Sequence, residues 1–133
     1  MNIVLDASTA IEMALNMKHA SLFKEICANA DCIFAPDIYP SEITNVFWKY
    51  RNFSSLDTTI CEKGIEYCIE LIDDFIHTRL LCNKAYNESI KYRHSAYDMF
   101  YLIVAQKYNA KLLTCDKKLA KISAEMNIEV ISY

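Results

Sequence analysis

Four acidic side chains, Asp6, Glu42, Asp98 and Asp116, stand where apolar segments begin or end. Asp6 closes the short run Asn2–Leu5, and Asp116 follows Leu112-Leu113-Thr114-Cys115. Asp98 heads the most apolar stretch of the chain, Met99–Ala105, and Glu42 follows Pro40 at the start of another helical pattern. Carboxylates that meet cannot all stay ionised unaided, because two of them ~5 Å apart repel by about 3 kcal/mol at an effective dielectric of ~20. A divalent cation supplies the missing charge. Oxygen-only ligands select hard ions, and a few carboxylates with retained waters suit Mg2+ or Mn2+ better than zinc. Such an ion activates water, polarises a phosphoryl oxygen and stabilises a leaving oxygen, which is the chemistry of phosphodiester hydrolysis.

A parallel α/β sheet would bring these residues together. Asn2–Leu5 reads as a strand, followed by a helix from Ser8 or Thr9 with Ile11, Met13, Ala14, Leu15 and Met17 as its apolar positions. A second helix covers Ala20–Ala28, and Cys32–Ala35 is the next strand, ended by Pro36. Asp37–Pro40 opens a helix continued by Ile43, Val46, Phe47 and Tyr50, since proline is tolerated in a first turn. From Asp57, the spacing of Ile60, Ile65, Cys68, Ile69, Leu71, Ile72, Phe75 and Ile76 predicts one long helix that carries the only glycine, Gly64. Arg79–Cys82 is ambiguous and Asn83–Tyr92 is helical. Tyr97, Phe100, Tyr101, Val104 and Tyr108 mark one face of a helix that is apolar nearly all round and therefore central. Leu112–Cys115 is a strand, Asp116 starts a helix, and Ile128–Ser132 is a last strand. Strand ends and helix starts gather at the carboxyl edge of such a sheet, where ligands bind, and all four acids fall there.

The same positions suit purely structural acids. Ser95-Ala96-Tyr97-Asp98 fits a capping box, Asp116 fits an N-cap, Asp6 fits a turn made through its own side chain, and Glu42 suits the positive end of a helix. Residue placement alone leaves both readings open.

The totals bound the class. A chain of 133 residues, 53% hydrophobic, fits one globular domain over residues 1–133. No apolar run approaches the ~18 residues of a membrane span, and the start MNIVLDAS lacks the features of a signal peptide, so a soluble, cytoplasmic protein is expected. Six cysteines without a C-x-x-C pair read as buried free thiols, and His19, His77 and His94 lack ligand spacing. A net charge of −3 argues against broad adhesion to nucleic acid but permits a local patch or a bound cation to recruit it.

The order of the motifs adds what spacing does not supply. IVLDASTAI, APDIYPSEITNVFW, SAYDMFYLIVAQ and KLLTCDKKL resemble, in turn, the D-x-S strand, the P-D…E-x-x-N segment and the third and fourth acidic motifs of PIN-domain nucleases. The resemblance spans nearly the whole chain and points to the single-domain toxin ribonucleases of the VapBC type. It implies a PIN-like α/β/α sandwich with a central, mainly parallel sheet, and Mg2+- or Mn2+-dependent cleavage of RNA at a site made of Asp6, Glu42, Asp98 and Asp116. Asp6 and Asp98 are implied as principal metal ligands, Asp116 as completing or bridging the metal site, and Glu42 as holding or deprotonating the attacking water. Ser8 and Thr114 would orient the carboxylates, and Asn45, one turn beyond Glu42, faces either the cleft or solvent. A homodimer and a cognate antitoxin protein whose tail occupies the cleft are implied as well. One departure is the single glycine, where relatives use more in their turns.

Lys91, Arg93, His94, Lys117, Lys118 and Lys121 lie near the motifs, as phosphate grips or, for most, as solvated helix faces. Trp48 and Tyr97, at helical spacing, read as core rather than as base-stacking aromatics. Readings from other classes are a PIN-like non-catalytic scaffold, a phosphoacceptor receiver domain, which wants paired acids after its first strand, and a cysteine-based zinc or redox protein.

Overall fold

The computed structural model describes residues 1–133, and its five strands form one sheet in the order β3-β2-β1-β4-β5. In chain order the elements are β1 (Asn2–Leu5), α1 (Ala7–Ala14), α2 (Ala20–Ala28), β2 (Cys32–Pro36), α3 (Tyr39–Ser54), α4 (Thr58–Glu70) and β3 (Asp74–Ile76). A 3-10 turn at Arg79–Leu81 leads into α5 (Cys82–Tyr92), α6 (Ala96–Lys107), β4 (Lys111–Leu113), α7 (Lys117–Glu125) and β5 (Val130–Ile131). All four pairings are parallel, beyond the mainly parallel sheet expected.

The strand order dictates the layers. The chain steps from β1 to β2 to β3 in one direction, then returns to the other side of β1 for β4 and β5. Crossovers between parallel strands are right-handed, so reversing direction moves the helices to the opposite face of the sheet. Helices α1 to α4 pack on one another, while α6 lies against β1, β2 and β4. The result is the α/β/α sandwich. The reversal also makes a crevice at the carboxyl ends of β1 and β4, the switch point where open α/β sheets hold ligands.

Helix α6 is central, as its composition predicts: Met99, Tyr101, Leu102, Ile103, Val104 and Ala105 are all buried. Its buried arc differs from the expected face at one end. Tyr97, in the first turn, is 65% exposed.

The long helix expected from Asp57 to Ile76 is two elements. It ends at Glu70, and Asp74–Ile76 pairs with Phe34–Pro36 as β3. Ile72, Phe75 and Ile76 keep a helical spacing, which hides the break. The break is made by Asp73, whose N–H donates to Ile33 O (2.9 Å) and whose Oδ2 accepts from Ile33 N (2.8 Å), extending the ladder on the β2 edge. Two further boundaries move. Helix α1 begins at Ala7 with Asp6 as its N-cap, ahead of Ser8 or Thr9, and β4 ends at Leu113, releasing Thr114 and Cys115 from the strand. The last strand is only Val130–Ile131. All six cysteines are free, but only Cys61 and Cys68 are buried, and Cys82 is exposed at the start of α5.

Gly64 serves packing rather than a turn. A Cβ at this position would lie 2.5 Å from Cζ of Phe47, a ring only 1% exposed and held between α3 and α4. Gly64→Ala therefore sets a gain of about 1 kcal/mol in helix propensity against about 1–3 kcal/mol of overpacking. Chemical denaturation should show a net loss of stability, recovered when Phe47→Leu is added. Unchanged stability in the single variant would mean that the α3–α4 contact yields freely.

Candidate active site

The carboxyl edge is assembled around Asp6. As N-cap of α1 it accepts from Thr9 N (3.1 Å) and Ser8 Oγ (2.6 Å) on Oδ1, while Oδ2 accepts from Thr114 Oγ1. The Thr114 hydroxyl in turn accepts from Asp116 N (3.0 Å), so one side chain at the end of β4 ties Asp6 to Asp116. Thr9 Oγ1 donates to Leu113 O (3.1 Å) and fixes α1 to the same strand end. Asp6 is only 6% exposed, and burial raises its pKa above the ordinary carboxylate value although the bonds from Ser8, Thr114 and Thr9 oppose the rise.

Asp116 caps α7, its Oδ1 accepting from Lys118 N (2.9 Å) and Leu119 N (3.2 Å). Asp98, in the first turn of α6, is not a cap: Ser95 holds that position and accepts from Tyr97 N (3.2 Å). Its Oδ2 lies 2.5 Å from Nε2 of His94. Glu42, in the first turn of α3, accepts from Tyr101 Oη (2.9 Å) across 59 residues of sequence. Burial raises the Glu42 pKa, the Tyr101 bond lowers it, and the charges of Asp98 and Asp6 raise it further, so α1, α3 and α6 converge electrostatically.

One group of side chains comes within metal-binding distance. Ligand atoms of His94, Asp98 and Asp116 all lie within 4.8 Å of one another. Asp6 and Glu42 stand beside this group but outside it. Asp6 has both oxygens engaged by hydroxyls and backbone, and Glu42 has one oxygen on Tyr101. The donor chemistry fits a divalent cation. None of the four acids pairs with lysine or arginine, and only Asp98 has a basic partner, His94. The span of the three-residue group is close to the about 4.2 Å diameter set by bonds of ~2.1 Å to a small divalent ion.

His94 is the residue that sequence reading missed. Grouped there with solvated lysines, it is in fact 8% exposed at the side chain and turned onto Asp98. The signal present was its spacing of four from Asp98, obscured because the helix cap falls between them. Arg93 makes the difference, closing α5 in the left-handed conformation (φ 52°, ψ 47°). Trp48 and Tyr97 depart in the opposite sense, being exposed rather than core, and Asn45 is exposed. Lys91, Arg93, Lys117, Lys118 and Lys121 are exposed as expected.

Two alternatives lose ground here. Asp6 has no acidic neighbour in sequence, and the hydroxyls of Ser8 and Thr114 occupy its oxygens, unlike an open phosphoacceptor. Cys115, the thiol nearest the acids, donates to Glu12 Oε2 (2.9 Å), and burial together with that bond pushes its pKa up to about 12, far from thiolate chemistry. A cavity of about 660 Å³ lies at the opposite, amino edge, between Asn2, Asn109, Lys111 and Glu129, and touches none of the four acids.

A family model described as PIN domain matches residues 3–125. No curated protein sequence matches the chain. Among solved structures, PAE2754 from Pyrobaculum aerophilum superposes with a TM-score of 0.78 at 15% identity, over 99% of this chain and 89% of that one. VapBC2 from Rickettsia felis, solved bound to a DNA fragment from its promoter, gives a TM-score of 0.70 at 13% identity, over 100% and 99%. A domain of a functionally unknown protein from Methanocaldococcus jannaschii gives 0.55 at 19% identity, over 99% and 90%.

Proposed function

The chain belongs to the PIN domain family, and from that premise we propose that it is an endoribonuclease dependent on Mg2+ or Mn2+, acting as the toxin of a toxin–antitoxin pair. The observation that carries the reading is the set of acids at the β1/β4 switch point, left without lysine or arginine partners and held in place by dedicated hydroxyls. Asp98 and Asp116 would hold the ion, with Asp6 on the far side of Thr114 as the remaining ligand. When bound, the ion supplies Lewis-acid activation of the scissile phosphodiester and of the attacking water.

The chain's own residues supply the rest. Glu42 is placed to accept a proton, since one of its oxygens is fixed by Tyr101 while the other makes no hydrogen bond within the chain. Thr114 and Ser8 keep Asp6 oriented toward the crevice. Lys117 and Lys118, exposed beside Asp116, offer phosphate contacts on one flank, and Tyr97, exposed beside Asp98, offers a stacking surface for an unpaired base on the other. The exposed Tyr97 ring favours an unpaired RNA strand over duplex DNA, because only an unstacked base can lie on it.

An antitoxin partner is supported by the likeness to VapBC2 and by apolar side chains left at the surface. Trp48 and Phe53 sit together on α3 with ring centroids 5.8 Å apart, and Tyr86 and Ile90 lie one turn apart on α5, all four exposed. No helix is long and apolar enough to cross a membrane.

Incubation with single-stranded and structured RNA should show cleavage in Mg2+ or Mn2+ and none in EDTA. No cleavage in any metal, with the ions shown not to bind, would leave a non-catalytic scaffold. The pH profile tests Glu42 separately. Tyr101→Phe removes the bond that lowers the Glu42 pKa, so the pKa rises and the acid limb of the rate profile moves to higher pH. The expected result is a several-fold loss at the acid end with near-normal rates on the alkaline plateau. An acid limb that does not move would remove Glu42 from the proton-accepting role.

A further inference from the structure

We propose that His94 contributes a nitrogen ligand to this metal site, and that the site therefore prefers transition divalents such as Mn2+ over Mg2+. The inference rests on the metal-dependent reading above and sharpens the identity of its ion.

The imidazole is built into the cluster rather than leaning on it. It is 8% exposed, its Nε2 lies 2.5 Å from Asp98 Oδ2, and it completes the group whose ligand atoms fall within 4.8 Å. Its backbone is pinned from both sides. His94 N donates to Ser89 O (3.1 Å) in the last turn of α5, and the next residue, Ser95, caps α6. The left-handed Arg93 between these fixtures turns the ring onto the first turn of α6, a conformation uncommon for a residue other than glycine. The other two histidines lack this setting. His19 pairs with Glu12 and His77, almost fully exposed, with Asp37, and neither belongs to the group at metal-binding distance.

Ligand type then sets the metal. Carboxylates and water suit Mg2+ and Mn2+ alike, but Mg2+ is a hard ion that favours an oxygen shell, whereas imidazole is a good ligand for first-row transition ions. One nitrogen in a set of carboxylates leaves Mg2+ binding little improved and strengthens binding of Mn2+. A surface ion pair between His94 and Asp98 would give no such discrimination.

Pulsed EPR of the full chain loaded with Mn2+ reads the ligand directly. The expected spectrum carries 14N modulation that converts to 15N on labelling with 15N-histidine, persists in a His19→Gln, His77→Gln double variant and disappears in His94→Phe and His94→Gln. Titration should show Mn2+ affinity falling by at least about tenfold in His94→Phe while Mg2+ affinity changes much less. The labelled wild type and the double variant decide the question even if the His94 variants fold poorly. Mn2+ that binds in an Asp98-dependent manner without histidine modulation would overturn the nitrogen ligand and leave the nuclease reading intact. Mn2+ that does not bind, or binds Asp98→Asn as well as wild type, would overturn both.

Discussion

Asp98→Asn is expected to abolish metal-dependent RNA cleavage while leaving the fold in place. The asymmetry follows from where Asp98 sits. Ser95, not Asp98, caps α6, so the variant loses the favourable charge at a helix start, worth about 0.3–1 kcal/mol, and the charge of the His94 contact, which an asparagine amide still meets with a hydrogen bond. The proposed metal site would lose far more. Residues that merely orient a ligand cost about 10–100-fold when removed, so loss of the proposed ligand, which also holds His94, should exceed the upper end of that range. Two measurements separate the effects. Thermal melts in EDTA should put wild type and variant within a few degrees of each other. Excess Mn2+ should then stabilise only the wild type, by about 2.7 kcal/mol at a hundred times the dissociation constant. Cleavage by the variant at the wild-type rate would exclude the carboxylate cluster as the reacting centre.

How far the sequence discloses this arrangement depends on whether a feature is local. Strands β1 and β2 and helix α6 are local: each is built on an uninterrupted apolar run, Ile3–Leu5, Cys32–Ala35 and Met99–Ala105, and each forms where it is expected. The strand β3 is not. Ile72, Phe75 and Ile76 satisfy a helical period, and only pairing with Ile33, 40 residues away from Asp73, makes them a strand. The same division runs through the site. Asp6, Asp98 and Asp116 reach one edge because strand ends and helix starts must gather there, which is a rule of topology readable from element order. The side chains that tune them come from elsewhere in the chain: Thr114 acts on Asp6 across 108 residues and Tyr101 on Glu42 across 59. His94 is near in sequence, yet its role depends on a left-handed backbone at Arg93 that no pattern of residue types announces.

The two explanations of the acids, caps and ligands, turn out to be compatible. Asp6 caps α1 and Asp116 caps α7, but each does so through one oxygen, and a cap alone has no need of burial. Asp6 is the instructive case, because a buried carboxylate with no cationic partner works against the fold that contains it.

That cost predicts that Asp6→Asn is more thermally stable than the wild type near pH 8 in EDTA, by a few degrees. The folded-state pKa of Asp6 is raised by burial, so folding favours its protonated form. Its contribution to stability is full below the unfolded carboxylate value and is lost as pH rises through the raised folded value, remaining lost above it. Asparagine mimics the protonated acid. Its Oδ1 keeps the bonds from Ser8 Oγ and Thr9 N, and its amide donates to Thr114 Oγ1, leaving the α1 cap intact. The advantage should shrink as pH falls and vanish below the ordinary carboxylate range. Added Mn2+ should reverse the order, because only the wild type retains the charge that the ion offsets. A variant less stable than wild type at every pH and in every metal would make Asp6 a structural cap. Reversal by metal would instead identify the strain at Asp6 as one that ligand binding relieves.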